Sequence, residues 1–267
     1  MIEEGHTFAK GFIPDPEGHR TTSARFLIGT ARPPAGASLN EFAPPITDQG
    51  GKSQCTGEAI PGAFVMSCNV HDIALPWAIA SASWSYKVGR CIDRKSLDEP
   101  LEDTGAMPNQ VARGIEEFGL LGREECSDAD EDVNEEPTVY ELESASRLHG
   151  LGIRGIGSRD KELVLDIMRA LGVARVGVAF SCDVDQAFED YKGSGLIPNE
   201  IKGKNLGGHM MYFSEYKTMA SGLILFRIRN SWGDLWGEKG CGWVDDTFVA
   251  RRLTSAFTSS AKVRGAR

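Results

Sequence analysis

The stretch Pro44-Pro45-Ile46-Thr47-Asp48-Gln49-Gly50-Gly51-Lys52-Ser53-Gln54-Cys55-Thr56-Gly57-Glu58-Ala59 governs how the rest of the chain is read. A Gly-rich loop delivers one cysteine to the start of an expected helix. Backbone N–H groups and the helix dipole at such an N-terminus favour a thiolate, the reactive form of the residue. A cysteine by itself is most often a small buried apolar residue. Gln49, six residues earlier, and the Gly-rich approach set Cys55 apart from Cys68, Cys91, Cys126, Cys182 and Cys241. Those five are scattered singly, with no C-x-x-C pair, so neither a zinc ribbon nor a thioredoxin-type motif fits.

Far downstream, Gly207-Gly208-His209-Met210-Met211-Tyr212-Phe213 sends a histidine into an apolar strand. It is followed by Ile228-Arg229-Asn230-Ser231-Trp232-Gly233-Asp234-Leu235-Trp236-Gly237-Glu238-Lys239-Gly240. Alone, His209 reads as a core histidine, and Trp232 and Trp236 as core aromatics. Together the three segments resemble the papain-like cysteine peptidases. In that family His and Asn follow the Cys by about 130–150 residues. Here His209 stands 154 and Asn230 175 residues after Cys55, so about twenty extra residues separate Cys and His. The resemblance covers roughly Gly11 to Val249. Pro14-Asp15-Pro16, the Asp103-Thr104-Gly105-Ala106 turn and the lack of a long pro-region are similar to bacterial and viral members.

The resemblance implies a role for each matching residue. Cys55 would be the nucleophile, His209 its proton partner, and Asn230 the amide that orients the imidazole. Gln49 would lend its side-chain amide to the oxyanion hole, beside the backbone N–H of Cys55. The substrate-binding residues would be Gly105, Thr104, Gly208 and Trp232. Of these, Gly105 would pair with an extended peptide, and Trp232 would shield the His209–Asn230 hydrogen bond. The chemistry needs these residue types: a thiolate attacks a carbonyl, an imidazolium protonates the leaving amine, and a neutral amide holds the ring. The function implied is hydrolysis of peptide bonds in protein substrates by an endopeptidase, without metal or cofactor. Acyl transfer to an amine by the same residues is an alternative, as is an inactive peptide-binding module. Three departures bear on the site. Thr56 stands where an aromatic residue commonly follows the Cys, and Lys52 replaces a cysteine that forms a disulfide in secreted relatives. Pro61-Gly62 falls inside the helix expected after Cys55, where an interior proline costs about 3 kcal/mol unless the helix bends.

Helices come first and strands later, which predicts an α+β chain. The expected architecture is a papain-like two-lobe fold with its active site in the cleft between a helical lobe and an antiparallel β-barrel-like lobe. An extended leader over 1–43 precedes a catalytic domain over 44–253, with a helical lobe over about 55–145 and a β-rich lobe over 146–253. A basic, frayed tail over 254–267 follows. Helices are expected over 109–118, with Val111, Ile115 and Phe118 on one face, and over 160–171. Strands are expected over 174–180, 209–213 and 223–228.

Composition narrows the partners. The 267 residues carry a net charge of −9, so the chain is a poor phosphate-backbone ligand and no nucleic-acid partner is expected. No run approaches the roughly 18 apolar residues of a membrane span, and no membrane partner is expected. Met1-Ile2-Glu3-Glu4 lacks the features of a secretory signal, so a cytoplasmic monomer acting on protein or peptide substrates is expected. Free thiols fit a reducing compartment. Gly150-Leu151-Gly152-Ile153-Arg154-Gly155 spells G-x-G-x-x-G but lacks a preceding hydrophobic strand. Gly51-Lys52-Ser53 lacks the first glycine of a phosphate loop. Asp128, Asp130 and Asp132 match the start of an EF-hand, but Val133 and Val139 occupy its Gly and Glu positions, which leaves a solvated acidic loop.

Overall fold

Helix α1 (Cys55–Val70) is buried almost all round, as befits a helix with apolar and small residues on every face. This is seen in a computed structural model of the protein, which describes residues 10–15, 24, 28–94, 99–129 and 132–260. Pro61 does not end α1. The lost hydrogen bond, about 3 kcal/mol, is outweighed by burial of Ile60, Phe64, Val65 and Met66, each worth about 1.5–3 kcal/mol. On one side α1 meets α2 (Ala82–Cys91). A Cβ on Gly57 would stand 2.3 Å from the Ala82 carbonyl oxygen, so only glycine allows this approach.

Ser81 caps α2 by accepting from Trp84 N–H at 3.0 Å. Helix α3 (Pro108–Phe118) starts on proline and stops at Gly119, whose φ is 94°. Val111 and Ile115 are buried as expected, while Phe118 is half-buried. Thr138 and Glu141 form a capping box that opens α4 (Val139–Ala145). Asp128 is not part of a solvated loop. It is buried, and its carboxylate accepts from Ser81 Oγ (3.1 Å) and Ser83 N–H (2.8 Å) at the start of α2. Asp130 of the same acidic run lies outside the described residues, among which no cluster of His, Cys, Asp or Glu could hold a metal.

The strands make one antiparallel sheet in the order β2-β7-β3-β4-β5-β6, with β1 also on β4. They are β1 (Gly36–Ser38), β2 (Arg154–Gly155), β3 (Val178–Asp185), β4 (Asn205–Thr218), β5 (Ile224–Arg229), β6 (Cys241–Asp245) and β7 (Leu253–Thr258). Helix α5 (Asp160–Arg169) ends in a π-helical turn over Ala170–Ala174, so the strand expected from Ala174 starts at Val178. Val176 N–H reaches back to the Ala170 carbonyl (2.9 Å), which holds this widened turn.

The tail expected from Thr254 is corrected over its first part. Residues 253–258 form β7 between β2 and β3, with Leu253, Ala256 and Phe257 buried. The basic residues flanking this segment hid its apolar content. Lys262, Arg264 and Arg267 lie outside the described residues, as do residues 1–9 and Pro16 of the leader. Short helices α6 (Gln186–Glu189) and α7 (Asp246–Arg252) start on Asp185 and Asp245, whose carboxylates cap them. All six cysteines are free. No described helix is long and apolar enough to cross a membrane.

Candidate active site

Cys55 is the first residue of α1, and the loop before it is tied to the loop that carries Asn230. Gln49 N–H donates to the Ser231 carbonyl (2.9 Å), Gly233 N–H donates to the Thr47 carbonyl (3.0 Å), and Asp48 bridges Trp232. The Gln49 side chain is clamped at both ends. Its Oε1 accepts from Ser231 Oγ (2.7 Å), and its Nε2 donates to the Lys52 carbonyl (2.8 Å). Residues 49 and 230 therefore belong to one rigid corner.

His209 lies in β4, fully buried, and pairs across the sheet with Cys182 of β3. Its Nε2 is 2.7 Å from Asn230 Oδ1. An amide oxygen only accepts, so Nε2 carries the proton and Nδ1 holds the free lone pair of the neutral ring. His209 Nδ1 has no hydrogen-bond partner among the described residues. The Trp232 indole stacks on the imidazole at 4.4 Å and 24°. Trp236 and Phe188 in turn meet Trp232 edge-on, at 5.9 and 5.7 Å. This aromatic wall covers one face of the His209 ring.

The Cys55 sulfur is also fully buried. Burial pushes its thiol up to about 11, against the opposing pull of backbone hydrogen bonds from Gly11, Met210 and Thr56. Burial likewise pulls His209 down to about 4, partly offset by Asn230. Burial thus favours the uncharged form of each group, a thiol at Cys55 and a neutral imidazole at His209. Lys52, the residue in place of a cysteine, points its ammonium at the Asp128 carbonyl (2.7 Å).

The leader itself excludes water from the site. Lys10–Asp15 lies across the cleft, with Phe12 bridged to Ala106 on one side and to Gly208 on the other. Ala106 N–H donates to the Gly11 carbonyl (2.7 Å) and Ile13 N–H to the Ala106 carbonyl (3.0 Å). Lys10 is ion-paired with Glu189 at one end. At the other end, Asp15 Oδ1 accepts from Asn109 N–H (3.2 Å) at the start of α3. A Cβ on Gly208 would come within 2.0 Å of the Phe12 ring, and one on Gly11 within 1.5 Å of the Ser53 carbonyl oxygen. Gly105 and Gly208 thus face the leader from opposite walls, whereas Thr104 is exposed on the turn beside it.

Three residues that the sequence reading gave no role lie beside this surface. Tyr86 Oη accepts from Gly105 N–H (2.8 Å) and donates to Asp103 Oδ1 (2.9 Å), while Asp103 accepts from Ser53 N–H (2.9 Å). Glu58 is buried one helical turn beyond Cys55. Tyr86 has no local sequence signal, since it acts across a fold contact, whereas Asp103 opens the Asp103-Thr104-Gly105-Ala106 turn already singled out in the sequence. Glu58 had a signal: an acid in an otherwise apolar helix.

No protein-family model matches the sequence, and no curated protein matches it. Solved structures do. Xylellain, a cysteine protease from Xylella fastidiosa, is similar over 97% of this chain and 98% of its own, with a TM-score of 0.70 at 20% identity. Digestive procathepsin L 3 from the larval midgut of Tenebrio molitor is similar over 94% of this chain and 75% of its own, with a TM-score of 0.71 at 16% identity. Bromelain from Ananas comosus, in complex with the E64 inhibitor, is similar over 86% of this chain and 100% of its own, with a TM-score of 0.62 at 14% identity. Helices around α1, an antiparallel sheet carrying His209, and these matches over nearly the whole chain together make this a papain-like α+β fold.

Proposed function

We propose that the protein hydrolyses peptide bonds through Cys55, with His209 as proton partner, Asn230 orienting the ring and Gln49 donating to the oxyanion. The observation that carries this reading is the leader, a length of extended peptide held by backbone hydrogen bonds directly over Cys55. The cleft binds peptide backbone by strand addition, and a nucleophile-type cysteine lies beneath it. When a substrate displaces the leader, Nδ1 of His209 takes the Cys55 proton. The thiolate attacks the peptide carbonyl, the imidazolium protonates the leaving amine, and water then attacks the thioester. Gln49 and the Cys55 backbone N–H face the oxyanion that forms. Thr104, exposed beside the cleft, would touch only the rim of a bound peptide.

An epoxide thiol probe tests this proposal. Once a substrate or probe displaces the leader, Cys55 should be modified before the other five thiols, because His209 can then take its proton, while burial pushes Cys68 and Cys182 up to about 12. Equal labelling of all six, or none at Cys55, contradicts the assignment. Mutants should rank in a fixed order. Gln49→Ala removes one oxyanion donor and should lower kcat by on the order of 10²–10³. Asn230→Ala should cost less, because Trp232 still packs on the ring. An Asn230 loss that exceeds the Gln49 loss would mean that ring orientation, not the oxyanion, limits the rate.

A further inference from the structure

Glu58 follows Cys55 by three residues on α1, so both side chains lie on one face of a helix buried on that side. Its carboxylate has the Thr47 hydroxyl as a hydrogen-bond partner but no cation of its own. Gln54 Nε2 reaches it at 3.4 Å and the Arg123 guanidinium at 3.7 Å. Arg123 is already engaged with Asp128 (2.5 Å), and the Lys52 ammonium is turned to the Asp128 carbonyl. One guanidinium therefore faces two buried carboxylates. From the sheet side, Glu58 lines a cavity of about 20 Å³ with Tyr212, Arg229, Asn230 and Ser231. The Arg229 guanidinium there is held by Tyr212 Oη (2.9 Å), Asn40 Oδ1 (3.0 Å) and the Pro44 carbonyl (2.5 Å). Asn230 Nδ2, on the same cavity, has no hydrogen-bond partner among the described residues.

We propose that Glu58 is a positioning residue whose charge governs how readily Cys55 becomes a thiolate. The proposal rests on the reading of Cys55 as nucleophile. A carboxylate on the same helix face repels a developing thiolate, whereas a neutral carboxyl does not. Burial, followed by the nearby Asp128 charge, holds Glu58 at about 7, and the Glu58 charge adds a smaller push to the burial that raises the Cys55 thiol. Below neutral pH Glu58 is uncharged and the thiolate forms more easily. Above neutral pH it is charged and opposes the thiolate.

The test uses the full chain as wild type and Glu58→Gln, with Cys55→Ala as the blank. Cys55 is titrated by its ultraviolet thiolate absorbance, and peptide hydrolysis is measured in parallel. The Cys55 midpoint should fall by on the order of one pH unit in Glu58→Gln, the scale of one charge at that distance in a partly buried site. An unchanged midpoint overturns the proposal. Should the variant fail to melt cooperatively, the wild type supplies a second measurement. Its Cys55 alkylation rate should rise by less than tenfold per unit through pH 7, and an unbroken tenfold rise would overturn the proposal. The two readings fail separately. A shifted midpoint without hydrolysis in the wild type removes the peptidase and keeps the coupling, whereas Cys55-dependent hydrolysis with an unshifted midpoint does the reverse.

Discussion

Cys55→Ala and His209→Ala are each expected to reduce peptide hydrolysis by on the order of 10⁶-fold, the loss seen when one member of a nucleophile–base unit is removed. The expectation follows from how the two residues depend on each other. Cys55 at an ordinary or raised pKa is a poor nucleophile, and burial here raises it. Only a base with an open lone pair can draw off its proton, and in the proposed mechanism His209 Nδ1 is that base, since the hydrogen bond to Asn230 Oδ1 fixes the proton on Nε2. Losing either partner removes the whole step, so the double variant should be no worse than the single ones. Both replacements are smaller than the native side chain and sit in a packed core, so melting temperatures should be recorded alongside the rates. Hydrolysis retained in Cys55→Ala would place the chemistry elsewhere in the molecule.

The largest gain is expected from Gly11→Val. A side chain at this position meets the Ser53 backbone, so the leader can no longer lie over Cys55. The closed arrangement loses two backbone hydrogen bonds and the half-buried Lys10–Glu189 pair. At roughly 1 kcal/mol for each hydrogen bond and less for the ion pair, alkylation of Cys55 and peptide hydrolysis should rise by between about tenfold and 100-fold. An unchanged alkylation rate would mean that the leader leaves the cleft freely in the wild type.

The pH dependence of this opening has a definite sign. In the closed form His209 titrates at about 4, against an ordinary 6.5 once water reaches it. Between those values the open form binds the extra proton, so acid favours opening by up to tenfold per unit. Cys55 acts at the other end, because its thiol is held up at about 11 against an ordinary 9.0. Between those values the open form loses the proton first, so alkali favours opening as well. The ratio of wild-type to Gly11→Val alkylation should be lowest between about pH 6.5 and 9. A ratio independent of pH would show that leader release leaves the environments of His209 and Cys55 unchanged.

The amino-acid sequence by itself determined the order of the chemistry-bearing residues and the local elements that present them. Cys55 opens a helix, His209 enters an apolar strand and Asn230 precedes a tryptophan-rich loop, all from short-range pattern. The limits of α3 follow from Pro108 and Gly119, since ring closure at one end and a left-handed turn at the other are properties of single residues. Pro61 looked disruptive because its cost is local, while the burial that outweighs it comes from residues far along the chain. Strand β7 was obscured because its partners, β2 and β3, lie some 70 to 100 residues away. The protonation state at the site was also beyond local reading. Tertiary packing alone decided that Lys10–Asp15 covers the cleft, because backbone hydrogen bonds carry no side-chain signature. Packing also decided that burial favours the uncharged forms of Cys55 and His209, because desolvation depends on everything that surrounds a group.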